Sequence, residues 1–169
     1  TLDSGDSLAG GDYRAVRARG RLLANSNLSL ANLTHIDLRK SDLTQAQLQG
    51  ARLSHADLRH STLRQANLSG SELIGVDLRG ADLSAASLRG VQTRPHIPTA
   101  LPDGVRTPPL ARLRGVQLRG ANLSDADLSA ARLIGADLMS ALYSEGTRWP
   151  DGLDPVAAGA RLITPGADL

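Results

Sequence analysis

Leucine recurs at every fifth position from Leu28 through Leu33, Leu38, Leu43, Leu48, Leu53, Leu58, Leu63, Leu68, Leu73, Leu78, Leu83 and Leu88, and again at Leu113, Leu118, Leu123, Leu128, Leu133 and Leu138. In most units a small residue stands two positions earlier, such as Ala46, Ala51, Ala56, Ala66, Ala81, Ala121, Ala126 or Ala136, with Ser26, Ser41, Ser61 and Ser71 as variants. A polar residue sits between the two, often Asp or Asn, as at Asn32, Asp37, Asp57, Asn67, Asp77, Asp82, Asn122 and Asp127. The unit reads Ala-Asp-Leu-x-x. A helix cannot bury it: five residues at about 100° each leave successive leucines roughly 140° apart around the axis. A single long strand cannot bury it either, because an odd step puts successive leucines on opposite faces. A coil of short extended segments with a turn in every unit buries both the leucine and the small residue and turns the other three outward.

Outward positions repeat at a longer interval. Arg19, Arg39, Arg59 and Arg79 are spaced by 20, as are Asp37, Asp57 and Asp77, Gly50, Gly70 and Gly90, and the pair His35 and His55. Twenty residues are four units, which predicts a square cross-section. No unit can hide its own leucine, so stability has to come from stacking neighbours, each interior leucine contributing about 1.5–3 kcal/mol.

The regular pattern covers 26–92 and 111–145 of one domain spanning 1–169. Residues 6–25 keep the phase with a degraded motif and are read as an irregular first coil, with a short helix over 13–24 as the competing reading. Residues 93–110 carry Pro95, Pro98, Pro102, Pro108 and Pro109; proline lacks the N–H that a ladder needs, so this segment is read as a loop leaving the rod. Leu88 to Leu113 is 25 residues, a multiple of five. The phase therefore leaves open whether the loop replaces part of a coil or is inserted whole, and with it whether Arg119 continues the Arg19–Arg79 column. Residues 146–169 are read as a terminal cap. Asp154 and Pro155 suit an N-cap and first helical position, which predicts a short helix near 155–160, and Trp149 is the one large flat side chain available to cover the last leucine layer.

The Ala-Asp/Asn-Leu-x-x unit resembles the consensus of the pentapeptide-repeat family over roughly 26–92 and 111–145, and the Thr147–Pro155 tail is similar to C-terminal tails of other members. The resemblance implies an all-β, right-handed quadrilateral parallel β-helix with four pentapeptides per coil and, with the tail, a short C-terminal helical cap. It also implies end-to-end homodimers, for which Trp149, Leu153 and Ile163 offer an apolar end. Some members resemble a DNA duplex and occupy gyrase, giving resistance to topoisomerase inhibitors.

Composition narrows this further. The chain has no Cys and no Phe, and Trp149, Tyr13 and Tyr143 are its aromatics, so leucine and alanine must fill the interior. Absence of Cys excludes disulfide and thiolate chemistry. No apolar run approaches the roughly 18 residues of a membrane span; a cytoplasmic location is expected, although a chain that begins at Thr1 carries no reading of targeting. The net charge is +2. Residues 6–93 sum to +3 and 122–154 to −4, a poor match to the strongly negative surface that duplex mimicry needs.

Candidate chemistry is sparse. His35, His55 and His60 lie on outward columns that diverge, whereas zinc wants three or four converging ligands; no metal, cofactor or catalytic residue is expected. The repeated Asp/Arg pairs at 37/39, 57/59 and 77/79 read as an exposed ion ladder, worth little per pair, or as a binding stripe. Acids interleave the arginines and stacking aromatics are missing, so direct nucleic-acid binding is not expected. The reading that remains is a non-catalytic interaction or scaffold module with an unidentified protein partner, gyrase being the alternative. Binding usually resides on loops held by rigid scaffolds. The candidate contacts are therefore His96, Ile97, Leu101, Asp103 and Arg106, with the column Arg19, Arg39, Arg59 and Arg79 second.

Overall fold

The computed structural model describes residues 7–93 and 111–163. The regular units share one local form. In 36–40, Ile36 and Leu38 are buried, Asp37 and Arg39 are half-buried and face outward, and Lys40 turns the corner at a φ of 58°. Parallel bridges join residues twenty apart, as in Ser7–Asn27, Asp12–Asn32, Arg17–Asp37 and Leu22–Asp42. Four ladders of bridges therefore run along the molecule, and they are called here its first to fourth walls in that order. The result is a β-helix. Its core is one continuous cluster of leucines with Ala, Val and Ile between them, most of them fully buried.

The backbone hydrogen bonds explain the unit's polar letter. Asp37 N–H donates to the Val16 carbonyl, Leu38 N–H to Asp57, Lys40 N–H to Arg59 and Ser41 N–H to Leu38, at 2.9, 2.8, 3.1 and 3.2 Å. The one amide left over is that of Arg39, and it donates to Asp37 Oδ1 at 3.2 Å. The same leftover amide is taken by Asn32 at Thr34, by Asp82 at Ser84 and by Asn122 at Ser124. Asp and Asn recur between the two buried positions because their short side chains reach this N–H, a bond worth about 1 kcal/mol. Serine stands in the alanine's place at four units: Ser26 and Ser61 donate to the Leu23 and Leu58 carbonyls at 2.6 Å, Ser41 donates to the Ala18 carbonyl at 3.0 Å, and the buried Ser71 hydroxyl has no partner among the described residues.

The open question about the proline-rich segment has a geometric answer. Asp77 pairs with Arg112, Asp82 with Gln117, Ser87 with Asn122 and Gln92 with Asp127, each thirty-five residues on. The excess over the usual step is fifteen, so the segment between Thr93 and Ala111 is an insertion and no part of a coil is replaced. Thr93 N–H and Oγ1 both donate to the Asp127 carbonyl, at 3.1 and 2.7 Å. Ala111 N–H donates to Ala130 at 3.1 Å. Above the insertion, β1 (Ala111–Arg112) pairs in parallel with β2 (Ala131–Arg132).

The two ends compare differently with the expected forms. Residues 7–25 make a first coil with the same turns and bridges as later ones, not a helix, and Tyr13 packs half-buried against the core in a leucine's place. At the other end Asp127 pairs with Arg148 at twenty-one residues, and β3 (Leu142–Tyr143) pairs with β4 (Arg161–Leu162) at nineteen. The expected helix over 155–160 is a hydrogen-bonded turn. Asp154 does cap it, accepting from the Val156 and Ala157 amides at 2.9 and 3.1 Å. Gly159 then takes a φ of 89° and Arg161 N–H returns to the Ala141 carbonyl at 2.7 Å, so the chain rejoins the ladder after a single turn. No helix among the described residues is long and apolar enough to cross a membrane.

Candidate functional site

The third wall concentrates charge. Its rows are Arg17, Asp37, Asp57, Asp77, Arg112 and Arg132. One position past each buried residue come Arg19, Arg39, Arg59, Arg79, Arg114 and Ile134. With Lys40 at its corner, the wall holds nine Lys or Arg against three Asp. The thirty-five-residue step puts Arg114 over Arg79, since Gly80 N–H donates to the Arg114 carbonyl; Arg119 continues the row of Ser84 on the fourth wall.

In the middle of this wall each aspartate clasps the arginine two residues on. Arg39 donates Nε to Asp37 Oδ1 at 2.8 Å and Nη2 to Oδ2 at 2.6 Å. Arg59 on Asp57 and Arg79 on Asp77 repeat the fork. Adjacent coils are cross-linked as well, Arg39 Nε lying 3.4 Å from Asp57 and Arg59 Nε 3.8 Å from Asp77. Hydrogen bonding by Arg39 holds the Asp37 carboxyl well below its ordinary value, at about 2, with Arg19 adding to the effect through its charge. At Asp77, burial pulls upward, but the Arg79 hydrogen bonds outweigh it and the net direction is down.

Because the Asp37 value is depressed, its stabilising contribution is complete above the unfolded carboxyl range near 4 and is lost as pH falls through about 2. Its side chain is 23% exposed and that of Arg39 36%, so solvent screening limits the contribution to about 1–2 kcal/mol. Asp37→Asn is expected to lose about 1 kcal/mol in urea denaturation at pH 7. The difference from the parent should vanish below pH 2; a gap that persists there would exclude the ion pair as its cause.

The other candidates fall elsewhere. Arg19 is exposed on the first coil. His96, Ile97, Leu101, Asp103 and Arg106 lie outside the described residues. Trp149 and Leu153 pack half-buried on the terminal core, Trp149 edge-on to Tyr143 at 5.6 Å and 82°. Ile163 is half-buried and its N–H donates to the Tyr143 carbonyl at 2.8 Å. His35 and His55 stack at 4.8 Å with their rings 9° apart. His60 stands at another corner, packed over Gly80, where a Cβ would come within 2.7 Å of its Nδ1. Among the described residues no three His, Cys, Asp or Glu side chains converge to hold a metal ion. Sequence reasoning overlooked Arg17, Arg112, Arg114 and Arg132. The signal was present as arginine in the aspartate's row, but it becomes readable only once the insertion length is known.

A solenoid of stacked five-residue units, with its side-chain variety confined to the outer walls, defines a class of repeat protein. Residues 26–65, 51–90 and 111–141 match the family described as pentapeptide repeats, in eight copies, and the chain belongs to this family. Among solved structures it is similar to HetL, a pentapeptide-repeat protein involved in heterocyst differentiation regulation from the cyanobacterium Nostoc sp. strain PCC 7120. Identity is 24% over 95% of this chain and 87% of HetL, with a TM-score of 0.50. Rfr23, a pentapeptide-repeat protein of the cyanobacterium Cyanothece 51142, is 24% identical over 83% of this chain and 88% of its own, at a TM-score of 0.44. QnrB1, a plasmid-mediated fluoroquinolone resistance protein, is 18% identical over 93% and 77%, at 0.40. At these identities the likeness speaks to fold alone. No curated protein matches the chain. Pentapeptide-repeat proteins are generally non-catalytic structural or interaction modules.

Proposed function

We propose that the chain is a non-catalytic protein-interaction module, built on a right-handed quadrilateral β-helix with four units to the coil. The observation that carries this reading is the insertion: the bridges from Asp77, Asp82, Ser87 and Gln92 all step thirty-five residues, so fifteen additional residues enter while the four walls stay in register across them. A segment that contributes nothing to the register is free to serve recognition, and it contains His96, Ile97, Leu101, Asp103 and Arg106 as contacts. The alternative, a duplex mimic acting on gyrase, needs a negative surface, and the third wall is positive.

The test replaces residues 94–110 by Ser-Gly, which supplies the two turn residues of an ordinary unit. The expected result is a melting temperature within a few degrees of the parent, since closing or opening a surface loop changes stability only modestly. Affinity capture from the native host extract should lose the partner. Capture that survives the replacement would overturn the loop's role. In a parallel gyrase supercoiling assay with a quinolone present, no protection is expected, and protection would make the alternative the function.

A further inference from the structure

The third wall supplies its own template for what it lacks. In three successive coils an aspartate occupies the bridging row and accepts a fork from the arginine two residues later, at 2.6–2.8 Å. Above the insertion the same two positions hold Arg112 and Arg114, and in the next coil the bridging row holds Arg132. In the first of these coils the later arginine stays and the carboxylate is gone; in the second the later position is Ile134 and the bridging row again holds an arginine. Arg112 and Arg132 are register partners in β1 and β2, so two arginine side chains leave neighbouring strands on one face, with their backbones about 4.8 Å apart. Like charges directly opposite in a sheet are destabilising. Among the described residues, Arg114 and Arg132 have no acid within ion-pair distance, and Arg112 has Asp77 at the long distance of 3.8 Å. All three are exposed, and they begin one residue after Ala111, where the chain re-enters the ladder.

We propose that Arg112, Arg114 and Arg132 form a docking site for an acidic segment of a partner protein, whose carboxylates take the places that Asp37, Asp57 and Asp77 hold lower on the same wall. A guanidinium fork accepts a carboxylate through two parallel bonds, and two acids about one coil apart (about 4.8 Å) would separate Arg112 from Arg132. A polyphosphate strand fits less well. The wall below the site continues as a row of three carboxylates, and the described part of the wall has no Trp, Tyr or Phe on which a base could stack. This inference rests on the reading of the chain as an interaction module, but on a different surface from the inserted segment.

The experiment is fluorescence anisotropy of a labelled oligo-glutamate peptide titrated with the full chain, beside single-stranded DNA of equal charge. The expected result is that the peptide binds, weakens with added salt, and binds more tightly than the DNA. The triple change Arg112→Gln, Arg114→Gln and Arg132→Gln should weaken it about tenfold or more. Changing Arg52, Arg64 and Arg89 to Gln removes the same charge from the other three walls and should change affinity less than about twofold. The Ser-Gly replacement of 94–110 should leave peptide binding in place. The inference is overturned if the peptide does not bind, if both triple variants weaken it equally, if DNA binds as tightly or more tightly, or if the Ser-Gly chain loses binding. A failure here beside a loop-dependent partner in the capture experiment leaves the module reading standing. Success here with no loop-dependent partner removes the loop and keeps the wall.

Discussion

Leu58→Ala is expected to lower the free energy of unfolding by about 2–5 kcal/mol in urea titration followed by circular dichroism. Leu58 is fully buried in the third coil, between Leu38 below and Leu78 above. Removing most of its side chain leaves a void bounded by two layers whose positions are fixed by the Leu38–Asp57 and Leu58–Asp77 backbone bonds, both 2.8 Å. The ladder cannot collapse into the void without giving up those bonds, which places the cost toward the upper part of the range. The same change at Leu8, in the first coil and 8% exposed, has a stacked neighbour on one side among the described residues and should cost less than half as much. Equal costs at the two sites would mean that the coils do not act as a stack of nearest neighbours.

Trp149→Ala should cost about 2–4 kcal/mol, less than full burial would give because the side chain is half-buried. Trp149 covers the last core layers with its ring edge-on to Tyr143, and alanine would open that layer to water. Trp149→Phe should stay within about 1 kcal/mol of the parent. The indole Nε1 is buried without a partner, so phenylalanine keeps the ring while removing a polar group whose burial is uncompensated. Thermal melts of both variants check this pair. An alanine variant that melts with the parent would show that the tail does not seal the stack.

The interior was legible because its demand is simple. A leucine and a small residue in a fixed phase of five satisfy the core wherever they fall, and that phase survives even where Tyr13 replaces the leucine. The walls were less legible for the same reason. Any insertion of five, ten or fifteen residues preserves the phase, so Leu88 and Leu113 could not say which outward residues stack, and Arg119 stood as the candidate to follow Arg79 where Arg114 does. The terminal helix was misread from a real signal. Asp154 and Pro155 do cap a turn, but helix length is decided by where the chain must next pair, and β4 lies only a few residues on. The leftover amide at each turn, which explains the aspartates and asparagines, becomes visible only when every N–H in a coil has been assigned.

The described corners form a family. They turn on a left-handed residue, whether glycine or a bulkier side chain such as His55 or Gln65, with φ near 60°. After Thr93 the chain takes up fifteen additional residues and still pairs in step from Arg112 onward, which makes the end of a wall a geometric port. The molecule is in that sense a ruler with attachment points, on which foreign segments could be hung at chosen heights and bearings without rewriting a single interior position.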